Sequence, residues 1–87
     1  MTENCFLCGK YGEVEKHHIF GGANRNKSEK YKLTVFLCHG CHNEPPRGVH
    51  HNRNAMDDLR KYGQQKAMSE QNWTVEKFTE VFGKNYL

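Results

Sequence analysis

The sequence predicts a small α+β domain stabilised by zinc, with two short strands ahead of a helix and a helical C-terminal tail. Three observations carry that expectation. The chain has 87 residues, 36% of them hydrophobic, and so short a chain buries too thin a core to dispense with a metal or a disulfide. Its four cysteines fall as two CxxC pairs, Cys5/Cys8 and Cys38/Cys41, the spacing of thiolates on zinc rather than of a disulfide framework. Strand-like alternation in the first half gives way to helical spacing after Asn54. Residues 1–87 read as one domain, with a zinc-framed core over 1–68 and a helical tail over 69–87.

Taken in order, CFLCGK at 5–10 has the form of a zinc knuckle, a tight turn that points both sulfurs inward. EVEKHHIF at 13–20 suits a strand ending in a histidine pair. GGANRNKSEKYK is rich in glycine and asparagine and reads as a loop of about a dozen residues. KLTVFLC at 32–38 alternates Leu33, Val35 and Leu37 against Thr34 and Phe36, a second strand that delivers Cys38 to the second knuckle. Pro45, Pro46 and Gly48 then interrupt regular structure. From Asn54, a cap-type residue, a helix is expected with Met56, Leu59, Tyr62 and Ala67 on one face, Asp57 and Asp58 near its positive end, and Gly63 weakening it. A last helix spans 75–82, with Thr74 as cap, Trp73 and Phe78 as a hydrophobic staple, Gly83 closing the end, and a core stripe of Val75, Phe78 and Phe82.

The net charge is +3, unevenly placed. Residues 1–54 hold eight Lys or Arg against five Asp or Glu, while residues 55–87 hold five against five. The excess and all six histidines thus share the first segment, which favours a polyanion such as nucleic acid as partner over a merely solvated basic face. No apolar run approaches ~18 residues, so no membrane span is expected. MTENCFLCGK lacks the basic start and apolar run of a secretory signal. A reducing cytoplasmic setting is therefore expected, where cysteines remain thiols or metal thiolates.

Four thiolates close the shell of one structural Zn²⁺. Twenty-nine residues lie between Cys8 and Cys38, more than the ~15–20 of a simple ribbon, so something is inserted between the knuckles. That insertion holds His17 and His18, adjacent at a strand end and therefore pointing apart. One can hold a metal while the other faces a substrate. With zinc satisfied by sulfur, His17 and His42 are free for a second ion, and His50 can add a third nitrogen. A shell of two or three protein ligands leaves room for water and phosphate, as a catalytic metal requires.

HHI on a first strand, a Gly/Asn-rich loop, then LCxxCH behind a second strand, framed by an N-terminal CxxC, resembles the HNH endonucleases, the ββα-metal or His-Me finger nucleases. The longer string HHIFGGANRNKSEKY…LTVFLCHGCHN…GVHHN, with the ending VFGKNYL, is similar to small HNH-type proteins encoded by phages and prophages. The resemblance implies a zinc-stabilised ββα-metal core and hydrolysis of DNA phosphodiester bonds to a 5′-phosphate and a 3′-hydroxyl. It makes His18 the general base, His17 a ligand of the catalytic metal and His42 the ligand on the helix, with His50 added ahead of His51. The family's middle asparagine, which orients the base, has no counterpart at Lys32-Leu33; Asn24 is favoured for that role over Asn26 and Asn43. A cytoplasmic location in a bacterial host follows from the same resemblance.

Imidazole, with an ordinary pKa of ~6.5, suits proton abstraction from water at neutral pH. Nitrogen ligands favour Zn²⁺, Ni²⁺ or Mn²⁺ over Mg²⁺ as the second ion. Arg25, Lys27, Arg47 and Arg53 are placed in loops to hold flanking phosphates of DNA, whether duplex, single-stranded or branched. So small an enzyme leaves room for a homodimer or for a phage or host replication-recombination partner. The competing reading is a non-catalytic zinc module that binds nucleic acid or protein, the latter through the aromatic tail Trp73 to Tyr86. Metal count separates the two, one ion for the module and two for the nuclease.

Overall fold

The computed structural model describes all residues, Met1–Leu87. The first CxxC turn is carried by a hairpin that the sequence did not announce, because its strands are only three residues long and mostly polar. Strand β1 (Thr2–Asn4) pairs antiparallel with β2 (Tyr11–Glu13), Thr2 opposite Glu13 and Asn4 opposite Tyr11. The expected pair of strands forms a second hairpin within narrower limits. In it β3 (Glu15–His18) lies antiparallel to β4 (Thr34–Leu37), with His17 opposite Val35 and His18 opposite Thr34. The Phe6 N–H donates to the Phe36 carbonyl at 2.9 Å and ties the first knuckle to β4.

The connection between β3 and β4 is not the loop expected from its glycines and asparagines. A short 3-10 turn, Gly22–Asn24, leads into helix α1 (Arg25–Lys30). RNKSEK contains no glycine, proline or β-branched residue, so nothing in it opposes a helix once Gly22 has turned the chain. Ser28 anchors α1 from the inside. Its hydroxyl donates to the Phe20 carbonyl at 2.7 Å and accepts from the Phe20 N–H at 3.0 Å.

Cys38 ends β4 and opens the short helix α2 (His39–Asn43). The chain then doubles back over α2. At Gly48 even a Cβ would lie 2.7 Å from the backbone nitrogen of Glu44, so only glycine permits this approach. The return delivers a 3-10 turn, Val49–His51, beside α2.

Helix α3 (Arg53–Gln71) starts two residues earlier than expected, because the cap is Asn52 rather than Asn54; the Asn52 side chain accepts from the Ala55 N–H at 3.0 Å. Its buried face is Leu59, Gly63, Gln64 and Ala67. Tyr62, expected on that face, is 38% exposed and packs on Phe6 with ring centroids 5.0 Å apart. Helix α4 (Val75–Phe82) has the anticipated ends: Thr74 accepts from the Lys77 N–H at 3.1 Å, and Gly83 closes it at φ +89°. Phe20 packs against both Phe78 and Phe82, with centroids 5.6 and 4.9 Å away.

One cluster joins Ile19, Phe20, Leu33, Val35, Leu37, Val49, Leu59, Ala67, Phe78 and Phe82 with Cys5 and Cys41. The tail therefore shares the core of the metal-framed half, and α3 runs through the anticipated boundary at residue 68. The architecture is small α+β, two two-stranded antiparallel sheets with helices. No helix is long and apolar enough to cross a membrane.

Candidate metal centres

The two knuckles bring Cys5, Cys8, Cys38 and Cys41 together, all four sulfurs within 4.8 Å of one another and none in a disulfide. A tetrahedron of Zn–S bonds at ~2.3 Å has edges of about 3.8 Å, and Cys8 Sγ lies 3.8 Å from Cys38 Sγ. The cluster could hold a structural metal such as zinc. Its electrostatics favour a cation. Burial opposes ionisation of Cys5, yet hydrogen bonds from the backbone of Cys8, Cys38 and Leu7 outweigh it and pull the thiol down to about 6. Cys41 is pushed up to about 12 by burial, then by hydrogen bonds with Cys38, Cys5 and Cys8 and by the charge of Cys5. A divalent ion stabilises every thiolate at once and removes that asymmetry.

A second group is built from histidines. His17 comes from β3, His42 from α2 and His50 from the turn Val49–His51; their ligand nitrogens also lie within 4.8 Å of one another. The ring centroids form a near-equilateral triangle, 5.2 Å for His17–His42, 5.2 Å for His17–His50 and 4.8 Å for His42–His50. His17 is only 3% exposed, and its Nε2 is buried with no hydrogen-bond partner. Burial first, then the charges of His42, His50, His18 and Arg60, lower His17 to about 4. Burial, then His42 and His51, lower His50 as well. Both rings are thereby held in the neutral form that a metal needs.

Glu15 sets the orientation of His42. Its Oε1 lies 2.7 Å from His42 Nδ1 and its Oε2 3.1 Å from His39 Nδ1. A carboxylate only accepts, so His42 donates from Nδ1, and the neutral ring presents a lone pair at Nε2. That atom faces His50 Nε2 at 3.1 Å. Two nitrogens on one ion at ~2.1 Å stand about 3.0–3.4 Å apart. The orphaned His17 nitrogen, the 3.1 Å spacing and the carboxylate behind His42 all fit a bound cation. Glu15 shares the face of His17 by the period of two along β3, but only the fold brings His42 and His39 to it. Hydrogen bonds to His42 and then His39 hold its carboxyl below the usual range.

His18 leaves β3 on the opposite side from the buried His17, and both line one pocket of about 340 Å³ with Lys16, Gly21, Gly22, Arg25, His42 and His50. Its Nε2 lies 3.0 Å from Glu29 Oε1. Lys16 Nζ donates to the same carboxylate at 2.7 and 3.0 Å. Hydrogen bonds to Lys16, then His18, keep Glu29 below the ordinary carboxylate range. Glu29 sits on α1, and reading that segment as a loop hid it.

Two assigned residues are engaged elsewhere. Asn24, favoured to orient the base, donates instead to the Phe82 carbonyl at 2.9 Å. Lys27, assigned to a phosphate, donates to the Val81 carbonyl at 2.6 Å. Together they tie α1 to the last turn of α4, whose carbonyls lack helical partners. Of the other three cations, Arg25 lines the histidine pocket. Arg47 is exposed and lies against Gly40. Arg53 is exposed and loosely paired with Asp57 at 3.6 Å. No protein-family model, no curated protein and no solved structure matches the chain.

Proposed function

We propose that the chain is a metal-dependent endonuclease of the HNH type that hydrolyses phosphodiester bonds of DNA. One observation carries the reading: three convergent imidazoles share a pocket with a fourth, His18, that is paired to a carboxylate. A spectator set of histidines has no reason to combine an orphaned ligand nitrogen, a carboxylate-oriented ligand and a carboxylate-oriented base. The order of β3, β4 and a helix bearing His42 is in keeping with a ββα-metal core.

His17, His42 and His50 would hold the ion, and the chemistry it would supply is Lewis acidity toward a phosphate oxygen. His18 donates Nε2–H to Glu29, so its free Nδ1 takes the proton of the attacking water. Lys16 fixes Glu29 in turn. Arg25, on the pocket wall, offers its guanidinium to a phosphate oxygen. Cys38 and Cys41 bracket the start of the helix that carries His42, so a zinc held by the four cysteines would fix that helix.

The test is nicking of supercoiled plasmid with Mg²⁺, Mn²⁺, Ni²⁺ or Zn²⁺ added in turn. His18→Ala should keep fold, zinc and DNA affinity and lose cleavage by ~10²–10⁴-fold, the contribution of a general base. His42→Ala should lose cleavage through weaker binding of the added ion and regain part of it at high ion concentration. Wild-type rates in both variants would overturn the assignment. A wild type that cuts nothing with any ion leaves a non-catalytic zinc module.

A further inference from the structure

Beside the histidine pocket lies a second and larger groove, about 560 Å³, lined by His50, His51, Asn52, Arg53, Met56 and Arg60 among others. The two depressions meet at His50, which lines both. Arg53, Met56 and Arg60 recur at the spacing of one helical face, so α3 presents two guanidinium groups to the same space. No carboxylate lines the groove.

Arg60 is the unusual member. Its Nε is buried and has no hydrogen-bond partner. It enters none of the chain's ion pairs. Its guanidinium lies over the Tyr86 ring at 5.7 Å, a contact that orients the group and leaves its donors unused. A buried donor without an acceptor is costly, and a fixed positive charge within reach of an imidazole cluster built for a cation adds repulsion. An anion placed between them relieves both. Arg53 can supply a second arm, since its exposed pair with Asp57 at 3.6 Å is weak.

We propose that this groove is a phosphate subsite for a nucleic-acid strand, in which Arg60 and Arg53 hold the phosphate next to the one attacked at the histidine centre. It rests on the nuclease reading for the identity of that neighbour, and on the groove alone for the binding of phosphate. The strand runs across His50 from one depression to the other. Arg60 is the principal arm, being preorganised by Tyr86, and Arg53 the adjustable one.

Binding is measured with no second metal added, by fluorescence anisotropy of a short labelled oligothymidylate with the zinc-loaded full chain at several salt concentrations. Arg60→Met, which keeps the apolar stem, should weaken binding about tenfold, the value of a charged hydrogen bond. It should also flatten the log–log salt slope by about 0.7, one phosphate contact on a single strand. Arg60→Lys should keep the wild-type slope, and Lys77→Met on α4 should change neither quantity. Wild-type affinity and slope in Arg60→Met would overturn the subsite. Should that variant fail to fold, the Arg60 side-chain Nε–Hε resonance of the wild type is followed during titration with inorganic phosphate. A saturating shift supports the subsite, and no shift, or one that grows without saturating, overturns it. A chain that binds this way but cuts nothing sinks the nuclease reading alone. A chain that cuts DNA while Arg60→Met binds as the wild type does sinks the subsite alone.

Discussion

Glu29 and Asn24 stand five residues apart on adjoining turns, and the contact to the base that was expected of Asn24 is made by Glu29. The Glu29 carboxylate faces His18 Nε2 at 3.0 Å, whereas the Asn24 amide is spent on the Phe82 carbonyl at 2.9 Å. A carboxylate fixes the tautomer of a histidine and makes its far nitrogen more basic, which an amide does only in part. Glu29→Ala should therefore lower turnover by ~10²-fold, the low end of general-base catalysis, with KM little changed. Asn24→Ala should leave turnover intact and reduce stability by about 1 kcal/mol, one hydrogen bond. Steady-state cleavage and thermal melting of both variants check the division; a slow Asn24→Ala with a wild-type melting curve would return the orienting role to asparagine. Histidines 17, 42 and 50 were legible because few other side chains bind metals and because they stand at a strand end, directly behind the second CxxC and just past the Pro-Pro turn. The carboxylates were not, since Glu15 and Glu29 look like ordinary surface acids until the fold supplies partners from residues far along the chain.

Among the elements, legibility followed locality. The ends of α4 depend on Thr74 and Gly83, which act within one turn, and both stand where the sequence puts them. The start of α3 was harder, because Asn52 and Asn54 are equally good caps and the choice is made by the turn that seats His50. Helix α1 was hidden by the glycines and asparagines that precede it, and the β1–β2 hairpin by strands too short to show alternation. Gly63 is the position where local preference and packing disagree most. Ala is favoured over Gly in a helix by ~1 kcal/mol, and on that ground Gly63→Ala should stabilise α3. Yet a Cβ there would stand 2.7 Å from Ile19 Cγ2 and 3.0 Å from Phe20 Cε2. Both partners are at most 2% exposed and Phe20 is wedged between Phe78 and Phe82, so neither can give way. Overpacking of a tight core costs ~1–3 kcal/mol and should win. Gly63→Ala should melt at a lower temperature than the wild type, and a higher melting temperature would mean that Ile19 and Phe20 have room to move.

At the scale of the whole molecule, the two candidate centres should differ in what they hold together. Only 18 of 87 residues are buried, and two of them are Cys5 and Cys41, so the sulfur cluster is part of the core rather than an attachment to it. Through Cys5 it anchors the β1–β2 hairpin, and through Cys38 and Cys41 it anchors β4 and α2. Without a metal, the buried thiols of Cys5 and Cys41, pushed in opposite directions, would face each other in the core. The histidine centre is different, since its members hang on elements already fixed by the sheet, the Glu15 pair and Gly48. Cys8→Ser should therefore strip the zinc and with it the fold, because structural zinc contributes on the order of 10 kcal/mol in small domains, comparable to the whole stability of a domain. His17→Ala should instead keep the cysteine-bound ion and the helical signal while losing the second ion. Far-UV circular dichroism paired with metal analysis of both variants separates the two roles. A Cys8→Ser chain with native helix content and no zinc would show that the cysteine cluster is not what holds the fold together.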